Sequence, residues 1–235
     1  MRSELSMNTP GNLDCIQDEL WDLKDALREN LLQFTCRAFN VLPKIKNPQI
    51  LDIGCGSGVP TIELARLSKG QVTGVDIDQM LINRLLQKTQ NLGMSNRIKV
   101  INRSILNLDL VEESFDIIWA EGSIAVPGFE RGISYWRRFL KPGGFLVVHD
   151  DLGNLEEKLG QIPANGYVFI SHFVMDENTW WQEYYSLLEI KLNEMRQKYI
   201  GKRDIEKVLE SDQREIDGYK KNPGRYRSVF LIMKK

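Results

Sequence analysis

Residues 50–58 read Ile-Leu-Asp-Ile-Gly-Cys-Gly-Ser-Gly, and residues 59–65 continue as Val-Pro-Thr-Ile-Glu-Leu-Ala. A short apolar strand therefore runs into three alternating glycines and then directly into a helix. Glycine permits positive φ angles and lacks the Cβ atom that would keep a ligand away from the backbone. The carboxyl end of the strand and the amino end of the helix meet at this turn, where open α/β sheets bind their ligands.

The glycine spacing also indicates the charge of that ligand. A dinucleotide-binding turn reads G-x-G-x-x-G and holds a pyrophosphate. Here Val59 and Thr61 occupy the places that the two possible registers reserve for the third glycine. Asp52 lies two residues before the turn, and a carboxylate there suits an ammonium or sulfonium group better than a pyrophosphate. The turn therefore predicts a ligand with positive charge nearby and disfavours NAD.

The ends of the next two strands predict a nucleoside. Asp76 ends the second strand about 20 residues after the turn, the distance at which an acid binds both ribose hydroxyls. Ile77 follows it with an apolar side chain that suits a purine ring, and Ser104 and Ile105 follow the third strand. An isolated Asp76 would be read as a helix cap. The combination of strand-end acids with the glycine turn favours the nucleoside site.

Short apolar runs alternate with helical patterns along the chain, which predicts a parallel sheet covered by helices on both faces. The predicted strands are residues 50–53, 72–75, 98–101, 115–119, 145–148, 167–175 and 226–233. The predicted helices are one or two within residues 13–41, then 59–67, 79–91, 177–200 and 203–221. We expect a single domain over residues 1–235, with a helical cap at 1–48, a ligand-binding core at 49–150 and substrate-side elements at 151–235.

Composition excludes several classes of protein. The 31 Lys and Arg residues balance 32 Asp and Glu residues, so no basic excess supports binding to a nucleic acid. Cys15, Cys36 and Cys55 are odd in number and have no C-x-x-C spacing, which argues against disulfides and structural zinc. Residues 1–10 are polar, unlike a signal peptide, and no apolar run reaches the roughly 18 residues of a membrane span. We expect a cytoplasmic protein.

The glycine turn resembles motif I of the class I S-adenosylmethionine-dependent methyltransferases, in particular the branch similar to ubiquinone- and menaquinone-biosynthesis methyltransferases. The likeness covers roughly residues 50–148 and includes residues 72–78, 114–120 and 140–146. It implies a Rossmann-like α/β fold with a seven-stranded sheet of order 3-2-1-4-5-7-6, whose last strand is antiparallel. Residues 119–124 resemble a smaller subgroup of small-molecule methyltransferases, which implies no particular acceptor.

The resemblance also implies the contacts of S-adenosylmethionine. The glycine turn would follow the methionine moiety and the ribose, Asp76 would bind the ribose hydroxyls, and Ile77 would pack on the adenine. Asp52 would act on the ammonium group through the backbone or water. Many relatives have an aspartate where Ser104 stands, so the serine hydroxyl would accept from the adenine amino group without a charge. The full predicted set is Asp52, Gly54, Cys55, Gly56, Gly58, Asp76, Ile77, Ser104, Ile105 and Glu121.

Two residues are candidates for the chemistry. Glu121 ends the fourth strand, and we expect it to contact the cofactor or the methyl acceptor; the alternative is a solvated loop carboxylate. His149 ends the fifth strand and has the ordinary pKa of a base, although a structural hydrogen bond is the more common role. The aromatic residues at 180, 181, 184 and 185 are more often core than pocket. The sequence predicts no metal.

Three functions remain open at this point. The favoured one is an enzyme that methylates a small molecule and yields S-adenosylhomocysteine. The first alternative is a protein that binds S-adenosylmethionine or S-adenosylhomocysteine without catalysis. The second is an NAD-dependent oxidoreductase. Methylation of a nucleobase nitrogen is disfavoured, because Ala120-Glu121-Gly122-Ser123 stands where such enzymes place Asn or Asp before Pro-Pro and an aromatic residue. The acceptor, the methylated atom and the oligomeric state are not predicted.

Overall fold

The sheet has the predicted order. The computed structural model describes residues 13–235, so the prediction that residues 1–10 carry no signal peptide falls outside the described residues. The strands are β1 Gln49–Ile53, β2 Gln71–Asp76, β3 Ile98–Asn102, β4 Phe115–Glu121, β5 Leu140–Asp151, β6 Val168–Val174 and β7 Ser228–Lys234. They lie in the order β3-β2-β1-β4-β5-β7-β6. Strands β1 to β5 pair in parallel and β7 is antiparallel to both neighbours, which confirms the predicted α/β fold.

Eight α-helices accompany the sheet in the described part of the chain. They are α1 Leu13–Glu29, α2 Leu32–Val41, α3 Val59–Ser68, α4 Gln79–Asn91, α5 Phe129–Trp136, α6 Leu155–Ala164, α7 Ser186–Lys198 and α8 Arg203–Lys221. The sequence patterns did not predict α5 and α6. Helix α5 has only 8 residues and contains Gly132, and α6 contains Gly160 and Pro163. These residues weaken a helical pattern, so tertiary packing rather than propensity determines both helices.

The chain divides into two compact units. The helical unit comprises residues 1–31, of which 13–31 are described, and residues 177–226. The sheet unit comprises residues 32–176 and 227–235. Helix α1 therefore belongs to the helical unit and α2 to the sheet unit. The domain boundaries predicted at 48 and 150 stay predictions.

The sheet unit has apolar side chains on both faces of its strands, as expected of a parallel sheet covered by helices. On one face Ile118 and Val148, both 0% exposed, pack in a cluster that includes Trp136 of α5. On the other face Trp119 is 0% exposed, and its ring lies 6.5 Å from those of Phe39 and Phe230. Alternate residues of a strand point to opposite faces of the sheet, and here both faces are buried. Polar side chains therefore lie mainly at the ends of the strands.

The helical unit has its own core. Tyr184 and Tyr185 are buried with Leu188 and Leu192 in a cluster contributed by α1, α7, α8 and the π-helical turn Trp181–Tyr185. The aromatic group at residues 180–185 therefore serves as core, the role the sequence favoured. No helix within residues 13–235 is both long and apolar enough to cross a membrane. All three cysteines are free.

Candidate active site

The glycine turn adopts a backbone conformation that only glycine accepts readily. Gly54, Gly56 and Gly58 have φ angles of +77°, +51° and +86°. A Cβ atom on Gly54 would lie 2.4 Å from the Cβ atom of Ser123, and one on Gly58 would lie 2.1 Å from Cδ1 of Leu85. A Cβ atom on Gly56 would meet nothing closer than a leucine methyl at 4.0 Å. Gly54 and Gly58 are thus required for packing within the protein, and only Gly56 presents bare backbone to open space.

The turn is fastened to the elements around it. The backbone N–H groups of Gly54 and Cys55 both donate to the carbonyl of Val75 on β2, at 2.8 and 3.1 Å. Lys88 of α4 donates from Nζ to the carbonyl oxygen of Ser57 at 2.9 Å. Sequence reasoning missed Lys88, because nothing in a helical lysine indicates which carbonyl it will reach. These bonds fix the turn before any ligand arrives.

Asp52 lies beneath the turn with only 2% of its surface exposed. The hydroxyl of Thr61 donates to its Oδ2 atom at 2.6 Å. Burial raises the pKa of Asp52 to about 7; the Thr61 hydrogen bond opposes that rise, and the charges of Glu121 and Asp76 add to it. A buried carboxylate of this kind gains most when a cation binds nearby, which agrees with the predicted positive ligand.

Asp76 joins the turn to the end of β2. Its Oδ2 atom accepts from the backbone N–H of Gly56 at 2.8 Å, and its Oδ1 atom accepts from the N–H of Asp78 at 2.9 Å. The cap of α4 is Asp78, whose carboxylate accepts from Met80 and Leu81. The alternative that Asp76 caps a helix is therefore wrong. Each carboxylate oxygen has a second lone pair, so Asp76 can also accept from ligand hydroxyls.

The residues predicted to surround a purine lie at the ends of β2 and β3. Ile77 is 69% exposed, an unusual amount for an isoleucine beside buried strands. Ser104 accepts a hydrogen bond from the N–H of Leu106 at 3.3 Å and keeps its own proton and a lone pair for a ligand. Ile105 is only 9% exposed and packs in the core of the sheet unit. It supports this end of the site from below.

Glu121 ends β4, and its carboxylate accepts hydrogen bonds from two neutral donors. The indole Nε1–H of Trp119 donates to its Oε2 atom at 2.9 Å. The hydroxyl of Thr35 on α2 lies 3.2 Å from Oε1 and 3.1 Å from Oε2. Burial raises the pKa of Glu121, and the two donors act against that rise. Sequence reasoning missed both donors: Trp119 shares a strand face with Glu121, a usable signal, whereas Thr35 is 86 residues away.

His149 on β5 pairs in register with Glu121 on one side and with Phe230 on the other. Its ring stacks on that of Phe230 at a centroid distance of 4.6 Å, and 8% of the residue is exposed. Burial lowers the pKa of His149 to about 4, so the imidazole is neutral at pH 7. A catalytic role for His149 stays a prediction. Its packing gives it a structural role in any case.

The two acids after His149 are occupied by a lysine of α6. Lys158 Nζ lies 2.7 Å from Oδ2 of Asp150 and 3.3 Å from Oδ1 of Asp151. Both acids are therefore paired with this cation. Within residues 13–235 no group of three or more His, Cys, Asp or Glu side chains is arranged to hold a metal ion.

Comparison with known proteins gives matches to methyltransferases over part of the chain. Residues 50–144 match the family model described as a methyltransferase domain. The chain is 31% identical over 134 residues to the 27-O-demethylrifamycin SV methyltransferase of Amycolatopsis mediterranei, which covers 56% of this chain and 49% of that protein. It is also 31% identical over 103 residues to a sterol 24-C-methyltransferase of Gibberella zeae, which covers 43% of this chain and 27% of that protein. The chain thus spans less than half of either relative.

A solved structure gives the corresponding result for the fold. The S-adenosylmethionine-dependent methyltransferase from Geobacter sulfurreducens, in complex with S-adenosyl-L-homocysteine, superposes with a TM-score of 0.70 at 16% identity. The superposition covers 92% of this chain and 97% of that one. Residues 50–144 therefore match a methyltransferase domain, and the chain shares the fold of this solved enzyme. That enzyme depends on S-adenosylmethionine, as its name states.

Proposed function

We propose that the chain is an S-adenosylmethionine-dependent methyltransferase that acts on a small molecule. One observation carries the proposal: Gly56 has open space where a side chain would be, its N–H donates to Asp76 at the end of β2, and the same turn follows the buried acid Asp52 of β1. This arrangement suits a nucleoside that is cationic at one end and has a ribose diol at the other. A nicotinamide dinucleotide, with its pyrophosphate, would bring two negative charges to the same acids.

Each predicted contact has a physical basis in this site. The Asp76 carboxylate can accept from the ribose hydroxyls, and exposed Ile77 can cover one face of the adenine. Asp52 and Glu121 make the methionine end of the site negative, which favours its ammonium and sulfonium groups. The sulfonium supplies the activated methyl carbon, so the protein's part is to align the acceptor and exclude water. Glu121 is also our candidate to take a proton from an acceptor that carries one.

Cofactor binding is the first test. We expect calorimetry to show micromolar-range binding of S-adenosylmethionine and S-adenosylhomocysteine. The glycine turn and the two acids, Asp52 and Asp76, already have their positions in the free protein. NAD should bind far more weakly, since its pyrophosphate would face Asp52 and Asp76. The opposite preference would end the assignment to methyltransferases. Binding without methyl transfer to any acceptor would favour the first alternative, a protein that only senses the nucleoside.

The pH dependence of cofactor binding should report on Asp52. Its pKa of about 7 leaves it partly protonated at neutral pH. The ionised form attracts the cofactor's cations, so affinity for S-adenosylmethionine should rise up to about tenfold between roughly pH 6 and pH 8. Stability of the free protein should change in the opposite direction. An acid whose folded pKa lies above its unfolded value of 3.8 loses stability as the pH rises between those two values.

Asp52→Asn is the control for both measurements, because it keeps the shape and removes the charge. Its cofactor affinity should be low and nearly independent of pH over the same range. Its unfolding free energy should fall less steeply as the pH rises, because the contribution of Asp52 is gone. If the variant retains the full pH dependence of the original protein, Asp52 is not the group that titrates.

The methyl acceptor is not fixed by the relatives. Their names record a sterol and a rifamycin derivative as substrates, and the alignments cover only 43% and 56% of this chain. Placement in the branch similar to ubiquinone- and menaquinone-biosynthesis methyltransferases stays a prediction. A screen of metabolite extracts with methyl-labelled S-adenosylmethionine would identify the acceptor directly. If no metabolite becomes labelled, the result would count against an enzyme that methylates small molecules.

A further inference from the structure

Helix α2 contributes one side chain to the end of β4. Thr35 is 0% exposed, and its hydroxyl lies within hydrogen-bond distance of both carboxylate oxygens of Glu121. The second donor, Trp119, is held between the rings of Phe39 and Phe230. A fully buried indole packed in this way cannot follow the carboxylate if the carboxylate rotates. Thr35 is therefore the donor that contacts the carboxylate from α2, outside the sheet.

The charges around Glu121 make these donors important. The titratable groups that face it are Asp52 on β1, neutral His149 on β5 and Cys36 on α2. Each of them is neutral or negative near pH 7. Within residues 13–235 no lysine or arginine forms an ion pair with Glu121. Its carboxylate is thus held by two neutral hydrogen-bond donors, Thr35 and Trp119.

We propose that Thr35 is a positioning residue, whose hydroxyl orients the Glu121 carboxylate toward the cofactor's ammonium group. Helix α2 thereby completes a site whose other parts lie on the sheet and its connecting turns. This inference rests on the proposed function for the identity of the ligand. The contact between Thr35 and Glu121 itself does not depend on it.

Three substitutions separate this role from a packing role. Thr35→Val keeps the side-chain shape and removes the donor, and Thr35→Ser keeps the donor and removes a methyl group. Thr89→Val is the matched control: Thr89 is 1% exposed on α4, and its hydroxyl donates to the carbonyl of Leu86 at 2.8 Å. Each protein is labelled with ¹³C at the glutamate carboxyl carbons and titrated by NMR. Glu121→Gln identifies the Glu121 signal by its loss.

The titration needs no ligand and tests the contact alone. In Thr35→Val the pKa of Glu121 should rise by about one pH unit, because a donor to the ionised form is lost. Thr35→Ser and Thr89→Val should leave it where the original protein has it. A Glu121 signal that titrates identically in Thr35→Val, or does not titrate in either protein, would overturn the inference.

Calorimetry with S-adenosylmethionine then tests the consequence for binding. Thr35→Val should weaken binding about tenfold at pH 7, and Thr35→Ser should restore it. In the Glu121→Gln background Thr35→Val should have no further effect. An equal loss in both backgrounds would make Thr35 a packing residue and overturn the proposal. If the original protein binds no S-adenosylmethionine, the proposed function fails, while the NMR titration still decides whether Thr35 controls Glu121.

Discussion

Gly58→Ala should lower the free energy of unfolding by about 2–5 kcal/mol, a large effect for one added methyl group. The positive φ angle of +86° costs a residue with a Cβ atom about 1–2 kcal/mol. The new Cβ atom would also lie 2.1 Å from Cδ1 of Leu85, which is 0% exposed, and overpacking a core adds about 1–3 kcal/mol. Urea unfolding followed by circular dichroism measures the difference.

Gly56→Ala is the matched control, two residues away in the same turn. Its φ angle of +51° carries a similar backbone cost, but the added methyl group would meet open space. We therefore expect a loss of only about 1–2 kcal/mol in stability. Binding of S-adenosylmethionine should fall at least about a hundredfold, since the methyl group occupies the ligand's place against the backbone. Normal binding by Gly56→Ala would mean that the ligand does not lie on this turn.

A second-site change tests the physical cause of the Gly58 effect. Leu85→Ala alone removes buried side-chain atoms and should cost about 2–5 kcal/mol. Combined with Gly58→Ala, the two losses should sum to clearly more than the measured loss, because the truncated side chain no longer meets the new Cβ atom. Strict additivity would show that backbone strain alone accounts for the effect of Gly58→Ala.

The sequence predicted the sheet well because apolar runs mark buried parallel strands, and the family resemblance supplied their order. It did not predict where β5 begins. Residues 141–144, Lys-Pro-Gly-Gly, look like a turn, and yet β5 extends over them. The register between β4 and β5 shifts between Phe115 and Ile117, so the extra residues are absorbed in an irregular pairing. Local turn residues cannot reveal an irregularity that a neighbouring strand creates.

The candidate site shows a similar division. Positions on the chain near the glycine turn, such as Asp52 and Asp76, were predictable because strand ends are readable from hydrophobic pattern. The contacts of Thr35 and Lys88 were not, since each depends on how a helix far away in sequence packs on the sheet. The three glycines show a subtler limit. Sequence reasoning assigned all of them to the ligand, whereas the structure assigns Gly54 and Gly58 to close packing against Ser123 and Leu85.

Asp76→Ala should cause the largest loss of cofactor affinity that a single acid in this site can cause. In the proposed complex its carboxylate accepts from ribose hydroxyls, and bonds to a charged acceptor contribute about 1.5–3 kcal/mol each. The same carboxylate also accepts from the N–H of Gly56 at 2.8 Å, so the substitution loosens the turn on which the ligand rests. We expect S-adenosylhomocysteine to bind at least about a hundredfold more weakly by calorimetry.

Two further variants distinguish the ribose contact from a general effect of charge. Asp76→Asn keeps one acceptor oxygen without the charge and should lose about tenfold in affinity, between the original protein and Asp76→Ala. Asp109→Ala removes an exposed acid near the end of β3 and should bind like the original protein. If all three variants bind alike, Asp76 does not reach the ribose. If Asp76→Ala binds weakly but keeps its full stability, the ribose contact outweighs the bond to Gly56, because losing that bond alone would lower stability.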